Sequence, residues 1–137
     1  GKSAAELLPA FAAEDRDAVT ILPRITIEEQ SALFNRASII LFPSLSEGFG
    51  LALAEGMCFG LAAVCGATGF GADFLSDGVD ARVVFPSTHH IAAAVLQLAQ
   101  SPATRAAMAE KGREVARGFT LDRMADAYEK AFLPSTP

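Results

Sequence analysis

The chain has 137 residues and carries 16 acidic against 11 basic side chains, a net charge of −5 with only three lysines. Without a basic face it is poorly matched to nucleic acid or an anionic membrane. Half of it is apolar, ample for one packed domain and against disorder, yet its longest apolar runs are far too short to span a bilayer. No basic segment followed by an apolar core marks a signal peptide, and a cytoplasmic location is the expectation. Cys58 and Cys65 form neither a C-x-x-C nor a Cys/His metal spacing, and both read as reduced core thiols.

In chain order, Gly1-Lys2-Ser3 leads straight into a helix, which reads as the start of a fragment. Residues 3–13 predict that helix, with Ser3 as N-cap, Glu6 at the capping-box position and Pro9 breaking it. Residues 18–22 predict a strand stopped by Pro23. Thr26 then caps a second helix, with Glu28 and Glu29 in its first turn and Ile27, Leu33, Phe34 and Ala37 as its apolar face. Residues 38–42 are apolar on both faces, as a central parallel strand requires. A helix over about 49–59 and a third strand at 61–65 follow. Next come the turn Gly66-Ala67-Thr68-Gly69-Phe70-Gly71, a short helix at about 72–75 and a turn at Asp77-Gly78. A fourth strand over 81–85 ends at Pro86. Ser87 or Thr88 then caps a helix to about Ala99, with Ile91, Val95, Leu96 and Leu98 inward. Ser101-Pro102 opens a helix that stops at Gly118, and Thr120 caps a last one that Pro134 ends. Alternation of strand and helix predicts an α/β fold, Rossmann-like and three-layered, with about four parallel strands and right-handed crossovers.

The most informative segment is Pro43-Ser44-Leu45-Ser46-Glu47-Gly48-Phe49-Gly50-Leu51-Ala52-Leu53-Ala54-Glu55-Gly56-Met57. It follows a strand and enters a helix, which puts carboxylates at the carboxyl end of a sheet strand, where open α/β sheets bind ligands. Gly48 and Gly50 let a ligand approach the backbone closely, since no Cβ intervenes. Amides around Phe49–Leu51 sit at the positive end of a helix and suit a diphosphate. Glu55 lies eight positions after Glu47, roughly 12 Å if helical, and carboxylates accept hydrogen bonds from vicinal diols. By spacing alone, a helix start with a dipole-favoured Glu47 and a solvated Glu55 is the better account of the pair.

The full string, P-S-x-x-E-G-F-G-L-x-x-x-E-x-M-x-x-G, resembles the signature of the retaining, nucleotide-sugar-dependent glycosyltransferases with the GT-B fold and an E-x7-E motif. The resemblance runs over roughly residues 19–132 and includes the segments 26–38, 68–84 and 119–132. It implies that Glu47 lies by the donor sugar, positioning it and stabilising charge. It implies too that Gly48, Phe49, Gly50 and Leu51 meet sugar hydroxyls and phosphate, and that Glu55 holds the ribose diol. The chain would then be a partial nucleotide-sugar-binding domain, the C-terminal domain of a GT-B fold over 1–137, without the N-terminal acceptor domain. Its parent would transfer a hexose from a UDP-, GDP- or ADP-hexose, as substrate rather than cofactor, to a glycan or lipid-linked acceptor in polysaccharide biosynthesis. Catalysis would rest on positioning and on electrostatic stabilisation of the leaving diphosphate. Gly56 stands where the family usually has Ala, Ala62 where Pro is common, Ala81 for a frequent Gly and Leu121 for a frequent Trp. The Arg/Lys pair that holds the diphosphate in the family has no match here.

Other residues carry two readings each. Gly66, Gly69 and Gly71 are either a permissive loop or a second wall of the donor site, with Asp73 beside it. Arg24 is either a phosphate ligand at a strand's carboxyl end or a surface residue. Arg82 pairs at an edge, and Ser44 and Ser46 lack a nearby base. His89 and His90 lack a third ligand, and no metal is expected. Two rival functions stand beside the enzyme: a non-catalytic nucleotide-sugar-binding module acting with a partner chain, and a structural remnant. An exposed sheet edge, where earlier strands are absent, suits a homodimer.

Overall fold

The computed structural model describes residues 3–132, and the chain divides into two compact units, one ending at Asn35 and one beginning at Arg36. The first holds α1 (Ala4–Leu7), two 3₁₀ segments (Leu8–Ala10 and Ala13–Ala18) and most of α2 (Ile27–Arg36). Both helices start as the sequence predicts. Glu6 Oε2 accepts from Ser3 N at 2.7 Å and from Ser3 Oγ at 2.8 Å, and these bonds hold its carboxyl below the usual range. Thr26 N donates to Glu29 Oε2 at 2.8 Å while Glu29 N donates to Thr26 Oγ1 at 3.3 Å, a reciprocal capping box. Pro9 falls in the 3₁₀ turn where α1 stops.

The strand expected at 18–22 does not form. Ala18 ends a 3₁₀ segment whose last turn is closed by Val19 N donating to Arg16 O at 3.1 Å, and residues 19–22 take no part in the sheet. Strand propensity is realised only against a pairing partner. The stripe expected on α2 is not buried either: Ile27 is 77% exposed.

The second unit is α/β. Among the described residues its sheet has three parallel strands, against the expected number of about four, in the order β1 (Ile39–Phe42), β2 (Ala62–Cys65), β3 (Arg82–Val83). Ile39 aligns with Ala62, Phe42 with Cys65, and Cys65 with Val83. The central strand is therefore β2, all four of whose residues are buried, and not β1, which lies at an edge with Leu41 47% exposed. Alternate β2 side chains serve opposite faces. Ala63 and Cys65 pack with Leu53, Met57 and Phe70 from α3 (Leu51–Cys58) and α4 (Phe70–Asp73). Ala62 and Val64 pack with Ala94 and Leu98 from α5 (Thr88–Gln100) and Met108 and Ala109 from α6 (Pro102–Arg117). Helices thus cover both faces of β2, and α6 reaches the first cluster as well through Ala116.

The helix ends also follow local chemistry. Ser87 Oγ accepts from His90 N at 3.4 Å and caps α5. Ala94 and Leu98, four apart, face inward, whereas Leu96, two residues from each, is 55% exposed and not inward as expected. Arg105 Nη1 donates to Leu98 O at 2.8 Å, satisfying a carbonyl at the end of α5. Gly118 closes α6 as the sequence predicts, with φ −68° and not in the left-handed region. Short turns end the helix, Gly118 N donating to Val115 O and Phe119 N to Ala116 O. Thr120 caps α7 (Leu121–Phe132), its Oγ1 accepting from Arg123 N at 3.3 Å. The stop expected at Pro134 lies outside the described residues. No helix among the described residues is long and apolar enough to cross a membrane.

Gly56 has a packing reason. A Cβ there would lie 2.5 Å from Ile40 Cδ1, so its absence seats α3 closely on β1. Cys65 is buried as expected, and burial first, then the charges of Asp77 and Asp80, push its thiol up to about 11. Cys58 is only half-buried, and both thiols are free.

Candidate functional site at the carboxyl ends of the strands

Because all three strands are parallel, their carboxyl ends lie at one rim of the sheet. The segment after β1 and the segment after β2 are packed together there. Gly66 N donates to Phe42 O at 3.2 Å, Thr68 Oγ1 to Ser44 O at 3.4 Å, and Phe70 N to Phe49 O at 2.6 Å. Gly69, with φ +49°, is pressed against the neighbouring loop. A Cβ on it would lie 2.6 Å from Phe49 O and 3.1 Å from Glu47 Cβ. The glycine-rich turn is thus the wall on which the Glu47–Gly50 loop rests.

Each residue singled out in the sequence now has a place. Glu47 is half-buried, beside Gly69. Gly48 is exposed, and a Cβ there would meet nothing within 4 Å, so its backbone faces open space. Phe49 is half-buried, its ring 5.4 Å from Phe70 and 5.8 Å from Phe119 between centroids. Gly50 is the N-cap of α3 with φ 95°, and no side chain caps that helix. The first helical hydrogen bond is donated by Leu53 to Gly50 O at 3.0 Å, which leaves the Leu51 and Ala52 amides ahead of it at the open end. Such a terminus favours an anion.

The helix begins at Leu51, later than the expected Phe49, so Glu47 lies in the loop and the fully helical spacing to Glu55 does not apply. Leu53, Ala54, Gly56 and Met57 are buried while Leu51, Ala52 and Glu55 are exposed. Glu55 therefore shares one exposed stripe with the open end of α3, one turn or about 5.4 Å along it.

The remaining candidates separate. Asp73 is exposed at the end of α4, which runs over 70–73 rather than 72–75. Arg24 loses its argument, because no strand ends before it. Arg82 is engaged by Asp77 at 2.9 Å and by Gln97, whose oxygen accepts from Nη1. His90 Nδ1 is 2.7 Å from Ser87 Oγ at the cap of α5. Among the described residues no three His, Cys, Asp or Glu side chains form a group that could hold a metal.

Two features escaped sequence reasoning. A cavity of about 470 Å³ opens at the same rim, lined by Ser44, Leu45, Ala67, Thr68 and residues 83–86; the rule that parallel strands bind ligands at their carboxyl ends points there. Asp80 is buried, its Oδ1 accepting from Ser76 N at 2.8 Å, while Asp77 Oδ1 accepts from Val83 N at 3.0 Å. These two carboxylates build the turn into β3, which the D-G-V-D string after Ser76 signals as a side-chain-bonded turn.

A parallel α/β sheet with a glycine-bearing turn into an open helix at the strand ends is a Rossmann-like arrangement. The profile described as "Glycosyl transferases group 1" matches residues 8–115, and the chain belongs to that family. It is 22% identical over 115 residues to an uncharacterized glycosyltransferase of Methanocaldococcus jannaschii, covering 83% of this chain and 33% of that protein. Its structure is similar to that of sucrose-phosphate synthase from Thermosynechococcus elongatus, with a TM-score of 0.75 and 25% identity over 87% of this chain and 31% of the other. The chain thus spans about a third of the length of these relatives.

Proposed function

We propose that this chain is the donor-binding part of a glycosyltransferase that moves a hexose from a nucleoside diphosphate sugar to an acceptor with retention of configuration. The observation that carries the reading is the single exposed stripe on which the open start of α3 and Glu55 lie, with Glu47 in the loop just before it. The diphosphate would accept from the Leu51 and Ala52 amides, the ribose diol would donate to Glu55, and the hexose would lie by Glu47, Gly48 and Phe49. Glu47 would position the sugar and offset positive charge developing at its anomeric carbon, while the helix terminus would stabilise the leaving diphosphate. A relative named sucrose-phosphate synthase supports a sugar-transfer reading, and a length about a third of the relatives' supports an acceptor site contributed by further protein. A cytoplasmic setting and a role in glycan or lipid-linked polysaccharide synthesis complete the proposal.

The test is an NMR or calorimetric titration of the chain and its Glu55→Ala variant with UDP, GDP, ADP and their glucose and mannose conjugates. Saturable binding of one nucleotide, weakened about tenfold or more in the variant, is the expected result. Binding that the variant leaves unchanged would refute the role of Glu55. The same coverage favours a second reading, a binding module whose catalysis needs another chain; binding without hydrolysis, with transfer restored by added partner, would distinguish it.

A further inference from the structure

Phe49 is the one side chain between two glycines in the loop proposed above to hold the donor. Gly48 and Gly50 offer the loop no side-chain anchor, so the position of the Gly48–Leu51 amides depends on the Phe49 ring and on its carbonyl. The carbonyl is held by Phe70 N at 2.6 Å. The ring enters a cluster of four phenylalanines drawn from three places in the chain. Phe49–Phe70 and Phe49–Phe74 centroids are 5.4 and 6.2 Å apart, Phe49–Phe119 5.8 Å, and Phe119 lies 5.1 Å from Phe70 and 4.6 Å from Phe74. All three contacts of Phe119 are edge-on, the arrangement in which a ring's positive edge meets a negative face. Phe119 is itself fixed. Its amide donates to Ala116 O at 3.1 Å, and Arg123 Nη1 donates to the preceding carbonyl, Gly118 O, at 2.6 Å.

We propose that Phe119, from the junction of α6 and α7, is a positioning residue that clamps the Glu47–Leu51 loop through Phe49. It meets no ligand. It restrains the ring whose backbone neighbours would, so its loss frees the loop while leaving the sheet intact. The functional weight of the clamp rests on the donor-loop reading above; the clamp itself does not.

The direct probe is hydrogen exchange of the Phe70 amide, because that amide donates to Phe49 O. Exchange is measured by NMR on the 137-residue chain without nucleotide, so a failure of nucleotide binding leaves this result readable. Phe119→Ala is expected to speed Phe70 exchange by on the order of tenfold, with the Ala62 amide at the head of β2, which donates to Ser38 O, unchanged. Phe119→Tyr, which keeps the ring, is expected to restore the rate. An unchanged Phe70 rate in Phe119→Ala overturns the proposal. So does equal acceleration at Phe70 and Ala62, which would mean that the ring supports the fold as a whole. Should the alanine variant fail to fold, Phe119→Leu, which retains bulk but no ring edge, replaces it under the same criteria.

Discussion

Gly69→Ala tests the packing of the two loops most directly. Two separate penalties apply. The backbone there has φ +49° and ψ −129°, a region that residues with a Cβ occupy at a strain of about 1–3 kcal/mol. The new methyl would also lie 2.6 Å from Phe49 O and 3.0 Å from Phe49 C. Those are backbone atoms with little freedom to move, and forced overpacking of this kind costs about 1–3 kcal/mol. Together they predict a loss of about 2–6 kcal/mol, a large share of the about 5–15 kcal/mol that holds a typical domain. Gly78→Ala separates the terms, since Gly78 has φ +76° but a Cβ there would meet nothing within 4 Å, leaving about 1–2 kcal/mol of backbone penalty alone. Urea unfolding followed by circular dichroism reads both variants; with a slope of about 2 kcal/mol/M, Gly69→Ala should lower the midpoint by about 1–3 M, and Gly78→Ala by less than about 1 M. Equal shifts in the two variants would refute the claim that the turn after β2 bears on the Glu47–Gly50 loop.

Three other outcomes are expected. The Cys65 thiol titrates at about 11 in the folded chain against 9.0 as its ordinary value, so the unfolded state loses its proton first as pH rises. Stability should therefore be unaffected by this group below pH 9 and fall by up to about 2–3 kcal/mol between pH 9 and 11, a slope that denaturant midpoints would show missing in Cys65→Ala. Gly56→Ala gains about 1 kcal/mol of helix propensity but displaces the Ile40 Cδ1 tip, a rotamer adjustment of about 0.5–1.5 kcal/mol. Thermal melting should place it within about 1 kcal/mol of the parent, and a larger loss would mean that Ile40 has no room to turn. The apolar edge strand β1 favours association of two copies, which light scattering at rising concentration would detect and Leu41→Lys would abolish without unfolding the chain; a monomer throughout would refute the edge pairing.

Local chemistry was readable wherever its partner lay a few residues away. Ser3 with Glu6, Thr26 with Glu29, Ser87 before α5 and Pro102 at the start of α6 all act as their spacing implies. The errors fall where partners are distant. Residues 18–22 have strand-forming side chains but pair with no strand of the sheet, and the apolar character of β1 did not reveal that β2 is the central strand. Leu96 differs in kind, since its place two residues from both Ala94 and Leu98 by itself turns it to the other face of α5. The candidate site was legible in kind, a glycine-bearing turn at a strand's carboxyl end. Nothing in the sequence around position 119 signals that its ring lies 5.8 Å from Phe49.

That asymmetry has a physical origin in the site itself. A loop that offers its amides to a ligand must leave them out of other hydrogen bonds, and glycines on either side of Phe49 let a ligand come close. The same features deprive the loop of the local restraints that order an ordinary turn. Order must then be supplied from outside, here by a carbonyl bonded to Phe70, by the close approach of Gly69, and by three rings from residues 70, 74 and 119. Hence the residues that name the site are contiguous, while those that give it shape are spread over some seventy positions of the chain. Substitutions in the second group should therefore change how well the Glu47–Leu51 loop is ordered without changing a single residue of that loop.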